Sequence, residues 1–81
     1  MNPDVPIRPV IRETMQLAPA RRWTVKALRA QLLAEHPDIT EADVTTALLW
    51  NQSKGYVDYT YDSERETDYW QLTERGKKTP V

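Results

Sequence analysis

The chain of 81 residues has no cysteine, one histidine and only two glycines. Without cysteine there can be no disulfide, no thiolate metal site and no nucleophilic thiol. The lone histidine, His36, excludes sites that need two imidazoles, and two glycines do not make a glycine-rich phosphate loop. These absences remove several common classes of enzyme and metalloprotein, and a reducing compartment fits the lack of cysteine.

The sequence also lacks long apolar runs and an excess of positive charge. No apolar run is long enough to span a bilayer. The N-terminus has neither the basic patch nor the apolar stretch of a secretory signal, so we expect a cytoplasmic protein. Lys and Arg number 11 and Asp and Glu number 12. A strongly basic domain would have indicated a nucleic-acid partner, and this composition does not.

The carboxylates suggest no catalytic pair. All lie in segments predicted to be exposed, and none lies in an apolar pocket that would shift its pKa. We therefore expect no enzymatic activity, no cofactor and no metal. With 40% hydrophobic residues, three Trp and four Tyr, the chain can bury a core, and its length has room for one domain.

The first helix is predicted to follow an extended arm over residues 1–9, which contains three prolines. It ends near Ala18 because a proline comes next. Arg12, Glu13 and Gln16 lie on its polar face. The apolar arc consists of Val10, Ile11, Thr14, Met15, Leu17 and Ala18.

Capping residues mark the starts of two further helices. Thr24 is a good N-cap for the second helix, which ends at 36–38. Thr40 and Asp43 have capping-box spacing at the start of the third, and Gly55 follows its end. The predicted inward stripes are Val25, Leu28 and Leu32, then Val44, Ala47 and Leu48, continued by the polar Asn51.

The period then changes from helical to alternating, which indicates two strands. One run covers 56–62, the polar stretch 63–67 supplies a turn, and a second run covers 69–72. Two such runs joined by a short polar segment predict a β-hairpin. Residues 77–81 are interpreted as a frayed tail, and no linker divides the domain predicted over 10–76.

Three helices followed by a hairpin resemble a winged helix-turn-helix domain, an α+β fold. Thr-Val-Lys-Ala-Leu at 24–28 resembles the start of the helix-turn-helix pair. Val-Thr-Thr-Ala-Leu at 44–48, then Lys-Gly-Tyr-Val at 54–57, looks like a recognition helix entering the first wing strand. Trp-Gln-Leu-Thr-Glu-Arg-Gly at 70–76 is similar to the second wing strand of MarR-like and PadR-like bacterial and phage regulators.

The resemblance implies a small DNA-binding regulator of transcription with helix 40–54 in the major groove of double-stranded DNA. The expected base contacts are Thr45, Thr46, Leu49, Gln52 and Ser53. The expected phosphate contacts are Arg21, Arg22, Lys26, Lys54 and Arg65. A domain this small makes few contacts, so a homodimer on a two-fold operator is expected.

A protein-binding winged helix is the alternative. Leu49 and Trp50 would form an apolar patch if exposed, and such patches often mark a protein interface. The arm could instead cover Trp50 through Val5 and Ile7. The predicted wing surrounds its single Arg65 with carboxylates that would repel phosphates, namely Asp58, Asp62, Glu64, Glu66 and Asp68.

Overall fold

Four helices and one hairpin make up the part of the chain that the computed structural model describes, residues 7–80. The helices α1, α2 and α3 come first, the antiparallel strands β1 and β2 follow, and a short helix α4 comes last. Among these residues no helix is long and apolar enough to cross a membrane. The bounds are α1 Ile7–Gln16, α2 Val25–Leu32, α3 Glu41–Ser53, β1 Val57–Asp62, β2 Thr67–Leu72 and α4 Glu74–Lys78.

The base of the hairpin is part of the domain core, since Val57, Trp70 and Leu72 are buried there. Val57 faces Leu72 in the register, and Tyr59 faces Trp70. Trp23, between α1 and α2, exchanges two backbone hydrogen bonds of 2.7 Å with Trp70. This bridge adds a third, one-residue strand at the free edge of β2, and it ties the start of the helix-turn-helix to the wing.

The core lies between the three long helices and the base of the wing. The inward stripes predicted for α2 and α3 are confirmed, although Val25 is only partly buried. Since α1 and α3 both pack on the wing base, the outer face of α3 is held in a fixed orientation to the hairpin. The buried apolar residues are Ile7, Ile11, Met15, Trp23, Leu28, Leu32, Ile39, Val44, Ala47, Leu48, Val57, Trp70 and Leu72.

Two predictions for α1 are wrong. The helix begins at Ile7, whose side chain is buried, so the extended arm does not include residues 7–9. Pro9 is compatible with this early start because the N–H groups of a first helical turn have no partner in the helix. Leu17 is 83% exposed, since α1 ends at Gln16 and the following turn points it outward. The rest of the predicted arm, 1–6, lies outside the described residues.

Arg12 was predicted on the polar face of α1, and it is buried instead. Its Nη1 donates to Oδ1 of the buried Asn51, at 3.1 Å. The Nδ2 of Asn51 donates to the carbonyls of Arg8 and Ala47, at 3.1 and 2.8 Å. The polar residue in the stripe of α3 therefore receives a charged side chain from α1. The amide of Asn51 has its hydrogen-bond partners, whereas the Nε of Arg12 is buried and has none among residues 7–80.

The predicted frayed tail is also wrong as far as Pro80, and Val81 lies outside the described residues. Thr73 caps α4 by accepting from the N–H of Gly76. Gln16 donates from Nε2 to the carbonyls of Gly76 and Thr79, at 2.8 and 2.9 Å. A Cβ at Gly76 would lie 1.9 Å from the carbonyl oxygen of Tyr56, so only glycine allows this close approach.

We predict that Asn51→Leu lowers the free energy of unfolding by about 2–3 kcal/mol, because it leaves the Nη1 of the buried Arg12 guanidinium without its acceptor. Urea denaturation followed by circular dichroism measures the change. The control is Gln52→Leu, an exposed neighbour on the same helix, which should change stability by less than about 0.5 kcal/mol. Equal effects of the two substitutions would show that the buried hydrogen bond contributes nothing.

Candidate functional site

The outer face of α3 is continuous and accessible. Each residue advances about 100° around a helix, so the inward stripe leaves the rest of the circumference to solvent. Four of the five predicted base-contact residues are exposed there, and Thr45 at the edge is half-buried. Leu49 is 51% exposed. The structure thus brings together the whole predicted set: Thr45, Thr46, Leu49, Gln52 and Ser53.

The first turn of α3 is fixed by the predicted capping box. Thr40 accepts from the Asp43 N–H at 3.1 Å, and the Asp43 carboxylate accepts from the Thr40 N–H at 3.0 Å. These hydrogen bonds lower the pKa of Asp43 below its ordinary value. With Glu41 also in this turn, the start of α3 carries negative charge and attracts phosphate poorly.

Trp50 lies beside the exposed face and is half-buried. The guanidinium of Arg8 lies 4.8 Å from the centre of its ring, and the Lys54 ammonium lies 5.6 Å away. We expected Val5 and Ile7 to cover Trp50, but Ile7 packs in the core and Val5 lies outside the described residues. Part of the Trp50 ring is covered by Arg8 instead. Trp50 is therefore a platform for cations, and the exposed apolar surface at this point is Leu49.

Three of the predicted phosphate contacts lie at the start of α2 and are exposed. The guanidinium of Arg21 stacks 3.7 Å from the ring centre of Trp23. The guanidinium of Arg22 lies 4.5 Å from the ring centre of Tyr69 on β2. A stacked guanidinium keeps the donors at its edge free to bind a phosphate. Lys26 is the second residue of α2 and is also exposed.

Arg29, the remaining cation of α2, has a structural use. Its Nε donates to the carbonyl of Ile39 at 2.9 Å, which fixes the connection between α2 and α3. The relative placement of the two helices of the helix-turn-helix therefore depends in part on a charged side chain.

The wing tip is a tight acidic turn. Asp62 accepts from the N–H groups of Glu64 and Arg65, at 3.0 and 3.2 Å. The Nε of Arg65 lies 3.9 Å from the Asp62 carboxylate, so its charge is partly balanced within the turn. Glu66 has a φ of 49°, in the left-handed region that completes this turn.

The acidic strand of the wing lies next to the start of α2. Glu66, Thr67 and Asp68 line one side of a surface groove of about 340 Å³, and Thr24 and Lys26 line the other. This proximity could not be predicted from the sequence, since the two segments are about forty residues apart. Carboxylates therefore reduce the positive potential around Lys26.

A second group of cations lies near the end of α3. The ring of Tyr56 packs near Trp50, with 6.4 Å between ring centres. It carries the buried Arg12 at 4.4 Å and the exposed Arg75 of α4 at 5.3 Å. The sequence did not predict that Arg75 lies near residues of α1 and α3, because only the docking of α4 onto α1 brings them together.

No group of three His, Cys, Asp or Glu residues is arranged to hold a metal ion within residues 7–80. The outer face of α3 is thus a polar helix face, and cations stacked on aromatic rings lie near its end and before α2. Such a surface is suited to binding.

The fold is the winged helix-turn-helix, with α2 and α3 as its helix pair and β1 and β2 as its wing. No protein-family model matches the chain, and no curated protein matches it in sequence.

Solved structures of similar fold include PerR from Streptococcus pyogenes, described for peroxide sensing and gene regulation. It has a TM-score of 0.75 and 19% identity, over 84% of this chain and 46% of that one. The adhesin competence repressor AdcR of the same organism has a TM-score of 0.68 and 23% identity, over 94% and 52%.

A third similar structure concerns HOP2 and its DNA recognition and protein interaction domains. It has a TM-score of 0.68 and 19% identity, and it matches 84% of this chain and all of that one. The chain thus spans about half the length of the PerR and AdcR chains, and at these identities the likeness shows the fold.

The capping box generates a prediction on pH. Because the folded-state pKa of Asp43 is lowered, its contribution to stability is fully present above the unfolded-state pKa of about 3.9. It is lost as pH falls through the lower folded-state pKa. Asp43→Asn should therefore destabilise the protein at pH 7, and the difference from wild type should shrink towards pH 3.

Urea midpoints of both proteins between pH 3 and 7 test this. Asp38→Asn, an exposed carboxylate before the helix, is the matched control and should show a smaller deficit at pH 7. A deficit of Asp43→Asn that stays constant down to pH 3 would rule out the ionised carboxylate as the source of stability.

Proposed function

We propose that this protein binds double-stranded DNA and regulates transcription, with α3 in the major groove. The observation that carries the proposal is the continuous exposed face of α3, held at both ends on a winged-helix frame. PerR is described for gene regulation, AdcR as a repressor and HOP2 for DNA recognition. Their common fold supports the proposal for this chain.

The chemistry of the exposed face favours particular bases. Gln52 can form two hydrogen bonds to adenine, and the methyl groups of Thr46 and Leu49 suit the thymine methyl. Ser53 already donates its hydroxyl hydrogen to the Trp50 carbonyl, so it can act as an acceptor. Since α3 itself carries no Arg or Lys within Glu41–Ser53, we expect an operator rich in A·T pairs at the positions that α3 contacts.

Phosphate contacts would position this helix without reading sequence. We assign them to Arg21, Arg22 and Lys26 at the start of α2 and to Lys54 after α3. Arg65 remains a prediction and the weakest of the set, because Asp62 and its acidic neighbours oppose it. A homodimer on a two-fold operator would double the contact area and remains a prediction. The cytoplasmic location of the protein is also a prediction. We propose no enzymatic activity.

Substituting both Arg22 and Lys26 by Ala should weaken binding to all duplexes and reduce the slope of log K against log salt by about 1.8, the value for two lost phosphate contacts. Fluorescence anisotropy with a labelled duplex from about 50 to 200 mM salt measures the slope. Gln31→Ala, an exposed polar substitution elsewhere on α2, is the control. An unchanged slope would mean that this end of α2 does not face the backbone.

The absence of any binding, even at low salt, would overturn DNA binding itself. An NMR titration with the same duplex would then show no shifts in α3. The exposed Leu49 beside the cation-covered Trp50 would in that case be tested as a protein-binding surface.

The acidic wing tip should oppose binding, because its carboxylates repel phosphates and Glu66 lines the same groove as Lys26. We expect Glu64→Gln with Glu66→Gln to raise the affinity for DNA by about twofold at low salt, from two weak repulsions across solvent. The gain should disappear at high salt. Glu13→Gln with Glu35→Gln, which removes the same charge from exposed sites on and near the helices, is the control. An equal gain for both pairs would reflect net charge alone.

A further inference from the structure

Two aromatic rings at the end of α3 gather cations from three separate elements. Arg8 comes from α1 and lies 4.8 Å from the ring centre of Trp50, with Lys54 at 5.6 Å from the same centre. Arg75 comes from α4 and lies 5.3 Å from the ring centre of Tyr56. These contacts place exposed positive charges side by side on one surface.

The carboxylate nearest in sequence to Arg75 opposes the positive charge of this surface only weakly. Glu74, on the same helix as Arg75, accepts from Lys77 at 3.2 Å. Its side chain is 76% exposed, so the pair is well solvated and leaves most of the surrounding charge available. We name the following exposed residues the cation patch: the three that lie over the rings, Arg8, Lys54 and Arg75, and the two lysines on the same short helix as Arg75, Lys77 and Lys78.

The cation patch borders the outer face of α3. At 100° per residue, Trp50 and Lys54 fall at one edge of the exposed arc, and Thr45 and Gln52 fall at the other. Arg8 stacks on Trp50, so the patch lies along the first edge. It lies towards the end of α3, whereas Glu41 and Asp43 occupy the first turn.

The cations of the patch are held in place before any ligand arrives. The carbonyl of Arg8 accepts from the buried Asn51, which fixes that turn of α1 against α3. The helix that carries Arg75 is docked by two hydrogen bonds from Gln16. Ordering a long cationic side chain on binding costs conformational entropy, and stacking on Trp50 and Tyr56 reduces that cost for the arginines.

We propose that the cation patch is a second phosphate-contact surface for duplex DNA. It would contact the DNA backbone in place of the wing, whose acidic side chains repel phosphates. The inference rests on the proposed function. The DNA backbone would then be held on both sides of α3, by the start of α2 on one side and by the cation patch on the other. The wing would stay away from the phosphates.

The test compares three double variants of the full chain by salt-dependent anisotropy with a labelled duplex. Arg8→Gln with Arg75→Gln should reduce the slope of log K against log salt by about 1.8, so that the loss of affinity between about 50 and 200 mM salt becomes about 12-fold smaller. Lys77→Gln with Lys78→Gln leaves the stacked arginines intact and should reduce the slope in the same direction. Arg65→Gln with Lys26→Gln, which also removes two charges, should reduce it by the contribution of Lys26 alone, about 0.9.

The outcomes separate this inference from the proposed function. Wild-type binding with a slope that neither patch variant changes would overturn the cation patch and leave DNA binding in place. A slope that falls further for the variant carrying Arg65→Gln than for the patch variants would assign the second contact to the wing. No salt-dependent binding by the wild type would overturn both. If Arg8→Gln with Arg75→Gln fails to fold by circular dichroism, the lysine pair decides, because its side chains stack on neither ring.

Discussion

A buried hydrogen bond between Arg12 and Asn51 connects the parts of this domain that its binding surface depends on. Asn51 belongs to α3 and also holds the carbonyl of Arg8 in α1. The Nη2 of Arg12 donates to the carbonyl of Pro80, at 3.3 Å, after α4, and its Nε is buried without a partner among residues 7–80. Burying a charged group is costly unless its hydrogen bonds are made, so the packing of these three segments depends on the acceptors that it supplies to Nη1 and Nη2.

This requirement fixes geometry as well as stability. A purely apolar contact between α1 and α3 would tolerate small rotations, since hydrophobic burial is non-directional. A hydrogen bond is directional, and the one between Arg12 and Asn51 sets how α3 is turned about its axis. Because Asn51 faces inward, Leu49, Gln52 and Ser53 face outward. The same interaction that closes the core therefore selects the residues offered to a ligand.

The fold was largely predictable because its signals are local. Thr40 and Asp43 mark the start of α3 by spacing alone, and the structure contains the capping box that this spacing implies. Alternation from Val57 to Tyr61 identified the first wing strand. The set on the outer face of α3 followed from the inward stripe, since residues that do not face the core at helical spacing must face solvent.

What the sequence could not show depends on contacts between distant residues. A helical wheel puts Arg12 on the polar face, and its acceptor lies 39 residues further on. The docking of α4 depends on Gln16, about sixty residues earlier. The cation patch combines α1, the end of α3 and α4, so no single stretch of sequence looks basic enough to predict it. The same is true of the groove that places Glu66 beside Lys26.

The distribution of charge matters more for DNA binding than the total. The net charge of −1 gives no general attraction for a polyanion. Charges held in separate regions still create local potentials of either sign, and here the wing tip is acidic while the end of α3 is basic. A duplex approaching the wing is repelled, and one approaching the outer face of α3 from the side of Arg8 and Arg75 is attracted. In the proposed complex with DNA, the protein gives up non-specific affinity and gains a preferred orientation, so that its encounters with DNA present the polar face of α3 to the groove.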